Sequence, residues 1–309
     1  MTSRIQQQGK PTLFSLGQLV ERYGGELVRR GKNITERYGM STGWNALDDM
    51  LRGGGLLPGL LYIVAGRPGM GKTTVMQNMA LNLARNGTPV VMFSLEVSKE
   101  RLLERMAYHE AGIDYMQLQR SNQNMSEAQI ETFTAALRRL ASLPVYVKDS
   151  AGMTPGNVAA TLHAWKAEHE FKVMFVDYLH IMRPDERVFG GREREIGTLV
   201  ERIRDEAKEQ QIACVLMSQM NRETEQHAPF FPSLSNLRDS GTVEQVAYCV
   251  MALYRRDYYV LSGMMPADQD GNLPSLDEKL DVMILKQQDG PTGVASLHFI
   301  DGTGKVVDW

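Results

Sequence analysis

The sequence predicts an α/β protein with a mostly parallel, twisted sheet that is flanked by helices and extended by antiparallel strands at its carboxyl end. Three observations support this fold class. Short apolar runs alternate with helical segments from Ser41 onward. Several of these runs are continuously apolar, as in strands that helices cover on both faces. The last three runs follow one another without the helical patterns seen earlier, which is typical of an antiparallel extension.

The composition is that of a globular protein and excludes several other classes. The chain has 309 residues, 43% hydrophobic and 23% charged, unlike a disordered, collagenous or coiled-coil protein. Lys and Arg number 34 and Asp and Glu 37, a net charge of −3, so any nucleic-acid site must be local. Cys214 and Cys249 lie in apolar runs, which favours buried, reduced thiols. Because no run is long enough for a signal peptide or a spanning helix, we predict a cytoplasmic protein with no membrane contact. No two histidines have i, i+4 spacing on a predicted helix and there is no CxxC motif, so no structural zinc is expected.

The amino-terminal stretch, residues 1–40, is predicted to be an arm with one linker helix, and residues 41–309 to be the main domain. Up to Gly43 there are seven Lys and Arg against three Asp and Glu, so this stretch is locally positive. Its apolar residues recur at helical spacing before Gly31: Leu13, Leu16, Leu19, Val20 and Leu27. A lone helix of this length is marginal in water. Two packing partners remain open, its own domain and a neighbouring subunit.

Eight apolar runs are the strand candidates of the main domain. They lie at 60–66, 89–95, 145–149, 173–178, 212–218, 248–254, 282–286 and 294–300. Between the first five, helix starts are signalled by Ser126 with Gln129, a capping box, and by Thr154 followed by Pro155. One face of a long helix is marked by an apolar stripe: Ile196, Leu199, Val200, Ile203 and Ala207. The last three runs are predicted to be the antiparallel extension.

A complete phosphate-binding loop pattern, GxxxxGK[ST], follows the first strand candidate at once. Its residues are Gly66, Arg67, Pro68, Gly69, Met70, Gly71, Lys72 and Thr73. Glycines let the chain curl so that its N–H groups face a phosphate, and the next helix, from Thr74 to about Asn86, adds its dipole. Lys72 is expected to reach the β- and γ-phosphates and the Thr73 hydroxyl to ligate Mg²⁺. The sequence therefore predicts a site for ATP and Mg²⁺, with Thr74 at its rim.

Polar residues at three other strand ends are candidates for the same site. Asp177 closes the run VMFVD and is the Walker B candidate for the magnesium shell. Glu96 ends FSLE, where it is placed to orient the attacking water, although an acid in the first turn of a helix fits nearly as well. Gln219 follows a further strand and is either a sensor of the γ-phosphate or an ordinary loop residue.

Six segments together resemble one known family. GRPGMGKT, FSLE, FVDYLHIM, SQMNR, LSNLRDSGTVEQVA and LKQQDGPTG are similar, in order and spacing, to the motifs of the carboxy-terminal motor of DnaB-type replicative helicases. The resemblance runs from about Ser41 to the end. It implies a RecA-like P-loop NTPase fold and a homohexameric ring that threads single-stranded DNA and moves along it by hydrolysing ATP. A helicase loader or a primase is then a possible partner.

The resemblance also implies roles for individual residues, and the phosphate-loop and Walker B residues keep those given above. Glu96 would position the attacking water, and Gln219 would couple the γ-phosphate to the DNA loops. Arg255, in LYRR, resembles the family arginine that packs near the nucleotide base. The helix from Phe14 to Arg30 resembles the linker helix that docks on the adjacent subunit.

Two segments resemble parts of the family's central channel. Arg238, Asp239 and Gly241 correspond to the inner loop that holds the DNA backbone, where glycine permits close approach. Without the resemblance, a helix end with a glycine stop is the preferred interpretation of this stretch. The segment 183–195 carries mixed charge and a double glycine, and either a channel-facing loop or a solvated surface loop fits it.

Two departures from the family pattern affect the expected activity. The arginine-finger position, supplied across a subunit interface, holds Gln288, while Lys286 is retained. Since a neutral amide stabilises transition-state charge poorly, we expect weak intrinsic turnover unless Arg256 substitutes. The family's amino-terminal collar has no counterpart before Phe14, so ring assembly is expected to depend on ligand and concentration.

Two other hypotheses remain. A regulatory or loader-like ATP-binding module of a replicative helicase would suit Gln288 and the missing collar. A recombination ATPase similar to RadA or RecA would suit the lead-in STGWNALDDMLRGGGLLPG but fits the last two motifs less well.

Overall fold

The computed structural model describes residues 13–33, 36–166, 168–225, 230–237, 241–265 and 275–309. The chain divides into two compact units between Arg37 and Tyr38. In the first unit, helix α1 (Leu16–Lys32) begins with a capping box in which the side chains of Ser15 and Gln18 each accept a hydrogen bond from the other's backbone N–H. None of the residues of α1 is buried, so its apolar face is left exposed.

The second unit is built on one sheet with helices on both faces. Its strands are β1 (Leu61–Gly66), β2 (Val90–Ser94), β3 (Val145–Asp149), β4 (Val173–Asp177), β5 (Ala213–Gln219), β6 (Cys249–Tyr254), β7 (Lys279–Gln287), β8 (Gly293–Ile300) and β9 (Lys305–Asp308). Its α-helices are α2 (Asn45–Asp48), α3 (Lys72–Arg85), α4 (Lys99–Ala111), α5 (Tyr115–Ser121), α6 (Glu127–Ala141), α7 (Pro155–Trp165), α8 (Arg192–Gln210), α9 (Gly241–Val246) and α10 (Arg256–Leu261). Short 3₁₀ turns lie at Leu179–Ile181, Arg222–Glu225 and Leu234–Asn236.

Among the described residues, the nine strands form a single sheet in the order β3-β2-β4-β5-β1-β6-β7-β8-β9. All pairings from β3 to β6 are parallel, which confirms the parallel sheet predicted from the first five apolar runs. The expectation that the run 248–254 opens the antiparallel extension is wrong in part, because β6 pairs parallel with β1 and antiparallel only with β7. Strand β9, which the sequence analysis did not identify, completes the antiparallel edge.

The helix signals read from the sequence are confirmed. Helices α6 and α7 both begin with capping boxes, and Pro155 occupies the first turn of α7. The apolar stripe of α8 is buried along its whole length in the core on one face of the sheet. The expected loop 183–195 is shorter than predicted, because its last four residues, from Arg192, form the first turn of α8.

The last strand is tied to the segment that precedes the sheet. The Trp44 indole N–H donates to the carbonyl oxygen of Val306 at 2.8 Å. The Asp308 carboxylate accepts hydrogen bonds from the backbone N–H groups of Asn45 and Ala46, at 3.0 and 3.1 Å. These contacts join two stretches of chain that are about 260 residues apart in sequence. Within the described ranges, no helix is long and apolar enough to span a membrane.

Candidate nucleotide site

The predicted phosphate loop lies where β1 ends and α3 begins. Gly69 and Gly71 adopt φ values of 85° and 90°, in the left-handed region that favours glycine. There is also no room for a side chain at either position. A Cβ on Gly69 would lie 2.8 Å from the ring of Tyr258, and a Cβ on Gly71 would lie 3.0 Å from the ring of Phe299. The curled backbone therefore depends on these two glycines for both conformation and space.

Lys72 is anchored inside the loop. Its Nζ donates hydrogen bonds to the carbonyl oxygens of Gly66 and Arg67, at 2.9 and 3.1 Å. Burial lowers the pKa of Lys72 to about 8, against the opposing effect of the carboxylates of Asp177 and Glu96. A partly buried ammonium beside curled backbone amides is suited to bind a polyphosphate.

Thr73 of the phosphate loop and Asp177, the Walker B candidate, lie in contact, as their motifs predict. The Thr73 hydroxyl donates to Asp177 Oδ2 at 2.8 Å, although β4 and β1 are separated by β5. Asp177 is almost fully buried, and this burial raises the pKa of its carboxyl group, while the bond from Thr73 acts in the opposite direction. A hydroxyl and one carboxylate beside a phosphate loop form the protein part of a typical Mg²⁺ site, whose other ligands are phosphates and waters.

A cavity of about 650 Å³ opens above these groups. It is lined by most of the predicted site residues: Pro68, Gly69, Gly71, Lys72, Thr73, Thr74, Glu96, Asp177, Gln219 and Arg255. Gly66, Arg67 and Met70 do not line it. The Met70 side chain is buried in the core, and Arg67 is turned away and donates to the carbonyl oxygen of Met220 at 2.9 Å.

Two of the strand-end candidates face the cavity with little constraint. Glu96, just after β2, is exposed. Gln219 ends β5 and is level with Gly66 of the neighbouring strand. Both side chains therefore reach the space where the phosphates are expected. The structure thus brings both predicted residues to the site.

Arg255 lies on the other side of the cavity and is held more firmly. Its guanidinium is 3.8 Å from the centre of the Phe299 ring, a cation–π contact, and donates to Asp301 Oδ1 at 2.5 Å. Arg255 is only 7% exposed. The guanidinium is therefore fixed in place at the wall of the cavity.

Sequence analysis missed several residues of the cavity wall. Arg105, on α4, lines the cavity, and its charge lowers the pKa of Asp177. Phe299 and Asp301, at the end of β8, also line the cavity, as does Gly304 in the following turn. No local pattern in the sequence marks these positions, because they reach the site only through the packing of α4 and β8 against α3.

The remaining predicted residues lie elsewhere. Arg238 and Asp239 fall outside the described residues, and Gly241 is the first residue of α9 and does not line the cavity. Lys286 and Gln288 lie at the opposite edge of the sheet, because β7 runs antiparallel to β6. Arg256 starts α10 on the same edge as the phosphate loop, so it is not near Gln288.

Comparison with known proteins identifies the family. The sequence model of the DnaB-like helicase C terminal domain matches residues 39–308. The replicative DNA helicase DnaC of Bacillus subtilis is 31% identical over 293 residues, which cover 94% of this chain and 61% of that protein. The replicative DNA helicase DnaB of Haemophilus influenzae is 33% identical over 280 residues, or 89% of this chain and 56% of that protein. The chain thus spans little more than half the length of these relatives.

Solved structures show the same fold. One solved ATPase domain superposes with a TM-score of 0.81 at 25% identity, covering 93% of this chain and 98% of that one. A DnaB-like replicative helicase, solved to study its interactions with primase, superposes with a TM-score of 0.82 at 24% identity. The match covers 96% of this chain and 68% of that one. These matches confirm the RecA-like α/β fold. With a family match over nearly all of the second unit and a phosphate loop paired with a Walker B aspartate, the chain belongs to the DnaB-like helicase C-terminal domain family.

Proposed function

We propose that this chain is the motor of an ATP-dependent helicase that translocates on single-stranded DNA during replication. The observation that carries the proposal is the Thr73–Asp177 hydrogen bond beside the half-buried Lys72, in a chain that belongs to a helicase motor family. ATP would bind with its phosphates on the loop and its base against Arg255, and Mg²⁺ would be held by Thr73 and Asp177. The bound Mg²⁺ would neutralise charge on the phosphates, while Glu96 orients the attacking water and Gln219 responds to the γ-phosphate.

The proposed working form is a homohexameric ring around the DNA. The apolar face of α1, which is exposed among the described residues, supports docking on a neighbouring subunit. Arg238, Asp239 and Gly241 would contact the DNA backbone in the channel. Lys286 and Gln288 would face the neighbouring nucleotide site, and a loader or a primase remains a candidate partner.

The test is the ATPase rate with and without single-stranded DNA, measured for the wild type and for Lys72→Ala. We expect DNA-stimulated hydrolysis that Lys72→Ala abolishes, because that variant removes the cation on the phosphates. Lys99→Ala, which removes an exposed lysine paired with Glu100 and Asp149 outside the cavity, is the matched control. Hydrolysis that survives Lys72→Ala would show that the activity belongs to another site or to a contaminant.

A regulatory or loader-like module is the second candidate, and Gln288 favours it. A neutral side chain at the finger position predicts ATP binding with slow turnover. Unwinding of a forked duplex by the purified protein separates the two candidates. Strand separation that requires ATP supports the motor, whereas ATP binding without unwinding under any nucleotide supports the module.

A further inference from the structure

The turn between β7 and β8, residues 288–292, lies at the edge of the sheet opposite to the chain's own phosphate loop. Gln287, which precedes the turn, is level with Cys249 of β6, and Cys249 is level with Tyr62 of β1. Tyr62 is four residues before Gly66, roughly 13 Å along a strand. The turn extends further still in the same direction. A side chain on it therefore cannot reach the ATP of its own subunit and can serve only a second copy.

The turn is joined to the segment 50–52 by the side chain of Gln287. Its amide nitrogen donates to the carbonyl oxygens of Met50 and Pro291, at 3.0 and 3.1 Å. Its amide oxygen accepts from the backbone N–H of Arg52 at 3.3 Å. Gln287 is only 9% exposed, so these bonds are shielded from water. The segment that carries Arg52 is thus held against the turn that carries Gln288.

Arg52 presents a guanidinium at this turn. Nη1 donates to the carbonyl oxygen of Asp289 at 3.4 Å and Nε to the Tyr38 hydroxyl at 3.1 Å. Both acceptors are neutral oxygens, and the side chain is exposed. Within the described part of the chain, Arg52 forms no ion pair with a carboxylate. The bond to the Tyr38 hydroxyl raises the pKa of Arg52, and the carboxylate of Asp289 acts on the guanidinium only from a distance and in the same direction, so the charge is available to an anion brought to the turn.

The other cations proposed for this role are placed differently. The ammonium of Lys286 donates to the carbonyl oxygens of Glu244, Gln245 and Ala247 at the carboxyl end of α9, in its own chain. Arg256 lies at the phosphate-loop edge and donates to the carbonyl oxygen of Ser275. The cationic group of Lys286 is therefore bound within its own chain, and that of Arg256 is far from residue 288, whereas the guanidinium of Arg52 lies beside the turn.

We infer that Arg52 supplies, to the ATP bound by a neighbouring copy, the positive charge that Gln288 cannot provide. The inference rests on the proposed function. In that reaction the water oxygen bonds to the γ-phosphorus, the bond to the β–γ bridging oxygen breaks with its electron pair leaving on ADP, and the water proton passes to Glu96. The Arg52 guanidinium stabilises the charge on the γ-phosphate oxygens and exchanges no proton.

The first experiment compares ATPase rates of assembled protein for the wild type, Arg52→Gln and the double variant Arg52→Gln with Gln288→Arg. We expect Arg52→Gln to lower the rate at least ~100-fold, with ATP affinity, melting temperature and sedimentation unchanged. The double variant, which returns the guanidinium to position 288, is expected to recover most of the rate. Arg120→Gln, which removes an exposed arginine of α5, is the control.

The second experiment mixes subunits. Arg52→Gln has an intact ATP site but lacks the guanidinium, whereas Lys72→Ala lacks the site but keeps the guanidinium. Mixed oligomers are expected to hydrolyse ATP faster than either variant alone, a gain that a purely structural role of Arg52 would not produce. An Arg52→Gln rate within about twofold of an active wild type, or no gain on mixing and none in the double variant, overturns the inference. A wild type that is inactive even when assembled would instead refute the proposed function.

Discussion

Lys72 experiences two opposing effects in the candidate ATP site. Burial favours its neutral form and lowers its pKa to about 8, while Asp177 and Glu96 favour the ammonium. A bound triphosphate would add several negative charges beside Nζ and raise this pKa again. Nucleotide binding and the protonation of Lys72 are therefore coupled.

This coupling predicts that ATP affinity falls as the pH rises above about 8. Below that pH Lys72 is already an ammonium, and above it binding must first take up a proton. The measurement is the dissociation constant of a fluorescent ATP analogue between pH 7 and pH 9.5. Lys72→Arg, whose guanidinium stays charged, is expected to remove the dependence. An affinity that is constant across this range in the wild type would contradict the assignment of Lys72.

Glu96 is predicted to act on hydrolysis and not on binding. It is exposed at the cavity mouth, where it can hold a water and contributes little to the packing of the site. Glu96→Gln is expected to keep the ATP affinity while lowering single-turnover hydrolysis by about 10²–10⁴-fold. Glu100→Gln, which changes an exposed acid of α4 outside the cavity, is the matched control. Glu96 precedes the N-cap of α4, Ser98, so the alternative of an acid in the first turn of that helix is wrong. A loss of affinity with unchanged turnover would show that Glu96 serves nucleotide binding and not hydrolysis.

The sequence could predict those site residues that belong to a motif of consecutive residues. The phosphate loop, Lys72 and Thr73 follow from eight consecutive residues, and Asp177 follows from an apolar run that ends in an acid. Arg105 could not be predicted in this way, because the packing of α4 brings it to the cavity.

At the scale of the elements, α1 has an apolar face that none of the described residues of its own unit buries. Val20 and Leu27 are 61% and 63% exposed. We predict that Val20→Glu with Leu27→Glu prevents assembly, which sedimentation velocity detects, because the charges would have to be buried on the neighbour. The melting temperature of the monomer is expected to change little, since both side chains are exposed there.

Glu21→Ala, on the polar side of α1, is the control for this helix and is expected to assemble normally. Assembly that persists in the double variant would show that α1 does not hold the subunits together. The sequence analysis left this packing open, because a helical stripe reveals that a face is apolar but not what covers it.

Helices α3 and α4 and strand β9 are joined through one buried asparagine. Asn78 Oδ1 accepts from His109 Nε2 at 2.8 Å and from the Val306 N–H at 2.9 Å. Its Nδ2 donates to the carbonyl oxygens of Thr74 and Gly304, which fixes the orientation of the amide. Since Oδ1 can only accept, His109 carries its proton on Nε2. This network positions α4, and with it Arg105, relative to α3.

The same network predicts a loss of stability in acid. Burial lowers the pKa of His109 to about 4, below the ordinary value of 6.5, so the neutral ring is favoured in the folded state. The contribution of the neutral His109 to the free energy of unfolding is fully present above pH 6.5 and is lost as the pH falls toward 4. The total loss of free energy is about 3 kcal/mol. Urea unfolding at pH 7.5, 6 and 5 measures this loss. His109→Gln is expected to flatten the profile, and equal slopes in both proteins would contradict the prediction.

The strands show where periodicity stops being informative. Continuous apolar runs correctly predicted the buried parallel strands, because a strand covered on both faces has no exposed positions that need polar residues. The direction of β6 was predicted wrongly in part because direction depends on which distant strand pairs with it, here β1 on one side and β7 on the other. Strand β9 was missed because four residues are too few to show a period.

Across the whole molecule, the phosphate loop and the β7–β8 turn lie at opposite edges of one sheet. A contact that brings the turn of one copy to the loop of the next joins two different surfaces, and such contacts repeat into rings or helical filaments. Hydrolysis that depends on this contact should depend on assembly.

We therefore predict that the ATPase rate per subunit rises with protein concentration and reaches a plateau once assembly is complete. Diluted protein is expected to bind ATP with its usual affinity but to hydrolyse it slowly, because the neighbouring Arg52 is absent. Rates and sedimentation profiles over the same dilution series provide the check. A constant rate per subunit down to concentrations where the protein sediments as a monomer would show that each chain hydrolyses ATP alone.

The bonds from Asp308 to the backbone of Asn45 and Ala46 have an engineering consequence. Since those two stretches already touch, a variant that keeps only the second unit, residues 38–309, has ends that a linker can join, and fresh termini opened in an exposed surface loop should be tolerated. Such a circular permutant would free the surface near residue 308 of a chain end. It would also allow a fluorophore to be attached at the new termini, at a distance from the ATP cavity chosen by the loop that is cut.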